Sequence, residues 1–239
     1  MHSHQTTAPD PRIGRLVHPP GQRLERHGHE LAHITVVLTG RFGEAGDFGR
    51  RDLGPGEVVL RRSFDPHFNL IGSSGATVLV LPQDRQARST FGRVRDPELL
   101  VRLAERNPVD ALDCLDEQIE PLAPVDDHWS DLLASLLRDG WAGSLADWAD
   151  EVGCRPETLS REFRKIYGCS PRQYRVAIRS RAALMRIRRS TDALAAIAAD
   201  LGFADQSHMN RAVRELTGAT PLAIRRRSGS GRPAASPWG

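Results

Sequence analysis

The sequence predicts a multidomain α+β chain. It has a strand-rich amino-terminal region, a short helical connector, and an all-α carboxy-terminal domain of two helix-turn-helix units joined by a long helix. Three observations predict it. Residues 13–82 carry short alternating, β-branched runs, whereas the later apolar residues recur at helical spacing. A helix–turn–helix pattern occurs twice, in residues 144–171 and 193–221. Charge divides along the same line: residues 144–239 hold 17 Lys and Arg against 9 Asp and Glu, while residues 1–143 hold 16 against 21.

Residues 1–12 are polar and proline-containing, so they are expected to be disordered and are no signal peptide. From residue 13 to 82, Leu31–Gly40, Glu57–Phe64 and Ala76–Pro82 read as strands, separated by glycine-rich breaks. Several short strands with turns between them suggest a sandwich or barrel. Strand alternation puts His27, His29, Leu31 and His33 on one face. Residues 83–125 form the connector, with two short helices started at Asp96–Pro97 and Asn107–Pro108. Such helices either pair two chains or pack on the barrel. Next, Trp129, Leu132, Leu133, Leu136 and Leu137 make one apolar stripe, the first helix of the carboxy-terminal domain.

In the downstream helix pair, Leu194, Ile197, Ala198 and Leu201 form one apolar face and Gly202 ends the helix. Asp205 stands as N-cap of the next helix. There Met209, Ala212, Val213 and Leu216 face inward, leaving Gln206, Ser207, Asn210, Arg211 and Arg214 outside. In the upstream copy Leu145, Ala149 and Gly153 match Leu194, Ala198 and Gly202 at an offset of 49, and Phe163, Gly168 and Pro171 match Val213, Gly218 and Pro221 at 50. Its outward residues are Glu157, Ser160, Arg161 and Arg164. The helix from Pro171 between the copies has Tyr174, Ile178 and Met185 on one side and Val176, Ala183 and Ile187 on the other. It can brace two lobes. Residues 228–239 are a low-complexity tail.

The outward side chains suit base edges. Gln and Asn bond adenine, Arg forks onto guanine, Ser reaches either, and Glu accepts from cytosine. An ordinary solvated basic face is the alternative, but the basic half of the chain is also the half with the repeat, as phosphate contact requires.

From about Asp126 to Arg227 the chain resembles the DNA-binding domain of the AraC/XylS family of bacterial transcription regulators. The resemblance rests on residues 200–221, on the Tyr174–Arg179–Ala183–Ile187 pattern, and on both glycine–turn–proline endings. It implies base-facing positions at Glu157, Ser160 and Arg161 in the first recognition helix and at Gln206, Ser207, Asn210 and Arg211 in the second. Arg155 stands where that family usually has a capping serine. Residues 21–40, with Gly21, His27, His29 and Gly40, resemble the first cupin motif, and residues 53–69, with Pro55, Gly56 and His67, the second. Together they imply a small cupin-like sensor barrel over residues 13–82. In metal-binding cupins such histidines hold a divalent ion; here His33 stands near the usual glutamate. His27, His29, His33 and His67 thus hold a divalent metal, hydrogen-bond a polar effector, or line an empty mouth.

The expected function is a sequence-specific transcriptional regulator that is no enzyme and works in the cytoplasm. Its implied partners are promoter DNA, a small-molecule effector, RNA polymerase and a second copy of the chain. The alternative is a cupin metalloenzyme, an oxygenase or isomerase, with an accessory nucleic-acid module. No nucleophile set accompanies the histidines. Cys114, Cys154 and Cys169 have no metal-like spacing and fit a reducing compartment. No apolar run reaches the roughly 20 residues that cross a bilayer.

Overall fold

The computed structural model describes residues 6–83 and 90–229. Two long strands organise the amino-terminal half. β4 (His33–Gly46) and β7 (His67–Pro82) pair antiparallel from His33↔Pro82 to Gly46↔His67. Register shifts at Val37/Thr39 and Gly40/Phe42 mark where both strands bend. Glycine is required there: Gly40 has φ 77°, and a Cβ on it would lie 2.0 Å from the Gly75 carbonyl oxygen.

Each half of the long pair recruits its own neighbours. β6 (Glu57–Arg61) joins the start of β4, and β5 (Gly49–Leu53) joins its end. β3 (Arg23–Gly28) joins the start of β7, and β2 (Gly14–His18) joins its end. Val37, Phe42, Leu53, Val59, Ile71, Val78, Val80 and Phe91 fill one core. The sheet follows an open path. β1 (Thr6–Thr7) pairs parallel with β3 at one end, and β8 (Phe91–Arg93) and β9 (Glu120–Leu122) extend the other. Of residues 1–12, expected to be disordered, 1–5 lie outside the described residues; of the tail, so do 230–239.

The connector packs on the sheet. Asp96 caps α1 (Pro97–Arg106) by accepting from the Leu99 amide at 2.8 Å, and Asn107 caps α2 (Pro108–Gln118) through the Val109 amide at 3.0 Å. Each such cap contributes about 1 kcal/mol. Leu100, Leu112 and Leu115 then bury against Ile34, Val36, Leu79 and Leu81.

The carboxy-terminal half has two lobes. The first contains α3 (Trp129–Arg138), α4 (Leu145–Glu151) and α5 (Pro156–Tyr167) around Leu133, Phe163, Tyr167 and Tyr174. The second contains α7 (Leu194–Asp200), α8 (Gln206–Thr217) and α9 (Pro221–Gly229) around Ile197, Met209, Val213 and Leu216. α6 (Pro171–Arg189) serves both, with Tyr174 and Ile178 in the first lobe and Val176, Ala183 and Ile187 in the second. Two expected core positions are corrected. Met185, expected beside Tyr174 and Ile178, is 39% exposed, while its neighbour Leu184 is buried in the second lobe. Leu132 is also exposed, because α3 turns Asp131 inward to meet an arginine of the sheet.

Candidate nucleic-acid interface and histidine cluster

α5 and α8 are both 12 residues long, and each ends on a left-handed glycine, Gly168 and Gly218. α8 starts cleanly because Asp205 accepts from the His208 amide at 2.7 Å. α5 starts on Pro156, and its N-cap, Arg155, makes no side-chain cap bond. Met209, Ala212, Val213 and Leu216 are buried on α8, as are Leu159 and Phe163 on α5. Helical geometry therefore turns Gln206, Ser207, Arg211 and Arg214 to solvent, with Glu157, Arg161 and Arg164 on α5. Ser160 and Asn210 are half-buried, nearer the helix flanks. The Asn210 Oδ1 has no hydrogen-bond partner among the described residues.

Three arginines absent from the sequence-based set lie beside the start of α8. Arg172, Arg175 and Arg179 of α6 line an open recess with Ser144, the N-cap of α4, and His208 of α8. Arg175 donates to the Gly143 carbonyl at 3.2 Å, and Arg179 to the Gly202 carbonyl at 2.8 Å. Their i, i+3, i+7 spacing was visible in the chain, but only the fold shows that this side of α6 faces the recess.

The four candidate histidines come together inside the amino-terminal half. Ring centroids lie 4.5 Å apart for His27 and His67, 4.9 Å for His27 and His29, and 4.9 Å for His29 and His33. His33 and His67 are buried, His27 and His29 half-buried. Every Nδ1 faces a backbone carbonyl: Glu25 at 2.6 Å from His27, Pro9 at 2.9 Å from His29, Leu31 at 3.2 Å from His33, and Asp65 at 2.8 Å from His67. A carbonyl only accepts, so each ring carries its proton on Nδ1 and turns an Nε2 lone pair elsewhere. Burial lowers all four pKa values, with the Arg61 cation adding to the effect; His29 is lowered to about 4. The rings are neutral at pH 7.

Arg61 occupies one of those lone pairs, with Nη1 3.3 Å from His33 Nε2. It also donates to Thr35 at 2.7 Å and forms a buried ion pair with Glu44, which Asn69 also contacts. Glu44 is thereby spoken for as a base. His27, His29 and His67 remain, and one nitrogen from each lies within 4.8 Å of the others. Three neutral imidazoles oriented by backbone acceptors are a donor set suited to a borderline divalent ion.

Residues 148–227 match the family model of a helix-turn-helix domain. The carboxy-terminal domain is a helix-turn-helix domain. Domains of this type place a recognition helix in the DNA major groove, and the chain is a DNA-binding protein. Similar solved structures include an AraC-type regulator from Chromobacterium violaceum, 22% identical over 42% of this chain and 91% of the other, with TM-score 0.37. ToxT from Vibrio cholerae O395 is 10% identical over 92% and 98%, with TM-score 0.42. The carboxy-terminal domain of the response regulator AraT from Geobacillus stearothermophilus is 18% identical over 46% and 90%, with TM-score 0.38. No curated protein matches this chain.

The helix-turn-helix domain meets the sheet along a buried seam. Arg50 of β5 donates to Asp131 of α3 at 2.8 and 3.1 Å, and the Tyr167 hydroxyl donates to the same carboxylate at 2.8 Å. The Tyr174 hydroxyl donates to the Gly46 carbonyl at 3.1 Å. Arg26 pairs with Asp47, and Arg181 of α6 pairs with both Asp47 and Asp65. Phe68 packs in the first-lobe core and Phe64 in the second. Among the described residues no helix is long and apolar enough to cross a membrane.

Proposed function

We propose that this chain is a sequence-specific transcriptional regulator whose cupin-like amino-terminal half is a metal-responsive sensor. The observation that carries the first part is the matched pair α5 and α8: equal length, equal glycine ends, polar outer faces, one shared brace. Consecutive major grooves lie about 34 Å apart on one side of a duplex, which a braced pair can span. Arg161 and Arg211 read guanine, Gln206 and Asn210 read adenine, and Glu157 accepts from a cytosine amino group. Ser160 and Ser207 add single bonds, and Arg164 and Arg214 lie toward phosphates. Arg172, Arg175 and Arg179 supply positive charge in the recess between the start of α4 and the start of α8.

The sensor reading rests on the orientation of the imidazoles. His27, His29 and His67 would hold the ion, with His33 and Arg61 behind them. The bound ion would supply a fixed positive charge and draw β3, the loop after it and β7 together. Nitrogen donors without a free carboxylate favour zinc, copper, nickel or iron(II) over magnesium or calcium. The same proposal places the protein in the cytoplasm, acting on promoter DNA with RNA polymerase and as a pair of chains.

Selection of random duplexes on the full chain, followed by sequencing, tests the regulator reading. It predicts enrichment of two half-motifs about 10 base pairs apart. No enriched motif would overturn it. Titration with zinc against a chromophoric chelator tests the sensor reading, which predicts one ion per chain and loss of binding in His27→Ala/His29→Ala.

A further inference from the structure

We propose that the segment Phe64–Phe68 is a transducer that reports occupancy of the histidine cluster separately to the two helix-turn-helix lobes. The proposal rests on the reading of that cluster as a metal site and names how the site is coupled to DNA binding.

Five consecutive residues touch four parts of the molecule. Phe64 is buried in the second-lobe core with Ala183, Leu184, Ile187 and Met209. Asp65 forms an ion pair with Arg181 of the brace helix α6. His67 is a member of the histidine cluster. Phe68 is buried in the first-lobe core, and its ring lies where a Cβ on Gly168, the C-cap of α5, would come within 2.9 Å.

The segment is tied to the cluster at both ends. The Phe64 amide donates to the His29 carbonyl at 2.7 Å, and the His67 ring donates to the Asp65 carbonyl at 2.8 Å. A shift of either histidine is therefore a shift of the backbone that carries the two phenylalanines. The adjoining strand behaves likewise: Arg26, next to His27, pairs with Asp47 and donates to the Tyr167 carbonyl at the end of α5.

Phe64 is also the one non-glycine residue with positive φ among the described residues, at 59°. Such a conformation persists only where the surroundings impose it. Here the second-lobe core holds the ring and the His29 carbonyl holds the amide. The proposal requires a second backbone state of this segment, which both sites would then bias.

Hydrogen exchange of the full chain with and without zinc, read over residues 156–167 and 206–217, tests the proposal. Zinc should change exchange in both helices by about fivefold or more. Phe64→Ala should abolish the change in 206–217 and keep that in 156–167; Phe68→Ala should do the reverse. Both should still bind one zinc per chain. Phe64→Leu, which keeps most of the buried volume, should weaken the 206–217 response if Phe64→Ala does not fold. Zinc that binds the wild-type chain and leaves both helices unchanged overturns the transducer alone. Variants that lose both responses together, or neither, also overturn it. Failure of the wild-type chain to bind zinc overturns the metal reading, and the transducer with it.

Discussion

Gly168 and Gly218 adopt the same left-handed conformation, φ 70°, at the ends of the two recognition helices. Their surroundings differ. A methyl group at Gly168 would meet the Phe68 ring at 2.9 Å, whereas at Gly218 it would meet nothing within 4 Å. Gly218→Ala should cost the left-handed penalty alone, about 1–2 kcal/mol. Gly168→Ala should cost that and the displacement of Phe68 as well. Chemical denaturation of the two variants measures the difference, and equal losses would deny that Phe68 is seated against α5. On the exposed face, Arg211→Ala should cost about 1–3 kcal/mol and relax selectivity at one base pair. Titration against duplexes substituted at each position shows which. In the sensor, His27→Ala/His29→Ala should abolish zinc binding and leave DNA affinity in zinc-free buffer unchanged. Loss of that affinity would make the two histidines structural.

α6 is where helix periodicity and tertiary packing part company. Its 19 residues carry two apolar sides, as the spacing of Tyr174, Ile178, Val176, Ala183 and Ile187 predicts, and each goes to its expected lobe. Met185 is the exception: expected beside Tyr174 and Ile178, it is exposed, and the adjacent Leu184 packs in the second lobe. Leu184→Ala should therefore cost about 2–5 kcal/mol. Met185→Ala should stay within about 0.5 kcal/mol. Thermal unfolding separates the two. The paired helix units were legible because their signals are local: apolar spacing, an aspartate cap, a glycine end and a second copy at nearly constant offset. Strand alternation placed His27, His29 and His33 on one face, but β3 ends at Gly28 and β4 starts at His33, so a turn and not alternation brings them together; His67 came only from a motif resemblance. The Nδ1 acceptors and Arg61 were hidden, because strand pairing across tens of residues brings them in. β9, a three-residue strand containing Pro121, has no alternation to read. The Arg50–Asp131 pair was hidden as well, since nothing near Asp131 in sequence announces Arg50.

Across the whole molecule, chemistry is divided and mechanics are shared. The amino-terminal half is acidic and holds the histidines; the carboxy-terminal half is basic and holds the recognition helices. Arg26, Asp47, Asp65 and Arg181 join them through largely buried ion pairs. Pairs of that kind contribute little when intact, but removing one partner costs several kcal/mol because the remaining charge is stranded. The seam therefore fixes how the domains meet more than how tightly.

DNA affinity should fall steeply with salt, since several phosphate contacts release counterions together. The central claim is that α5 and α8 enter consecutive major grooves as a braced pair. Methylation interference on a selected duplex, with wild-type chain, Arg161→Ala and Arg211→Ala, tests it most directly. Two patches of guanine interference about 10 base pairs apart are predicted, each variant losing one patch and keeping the other. A single patch, or two that neither substitution alters, would contradict it.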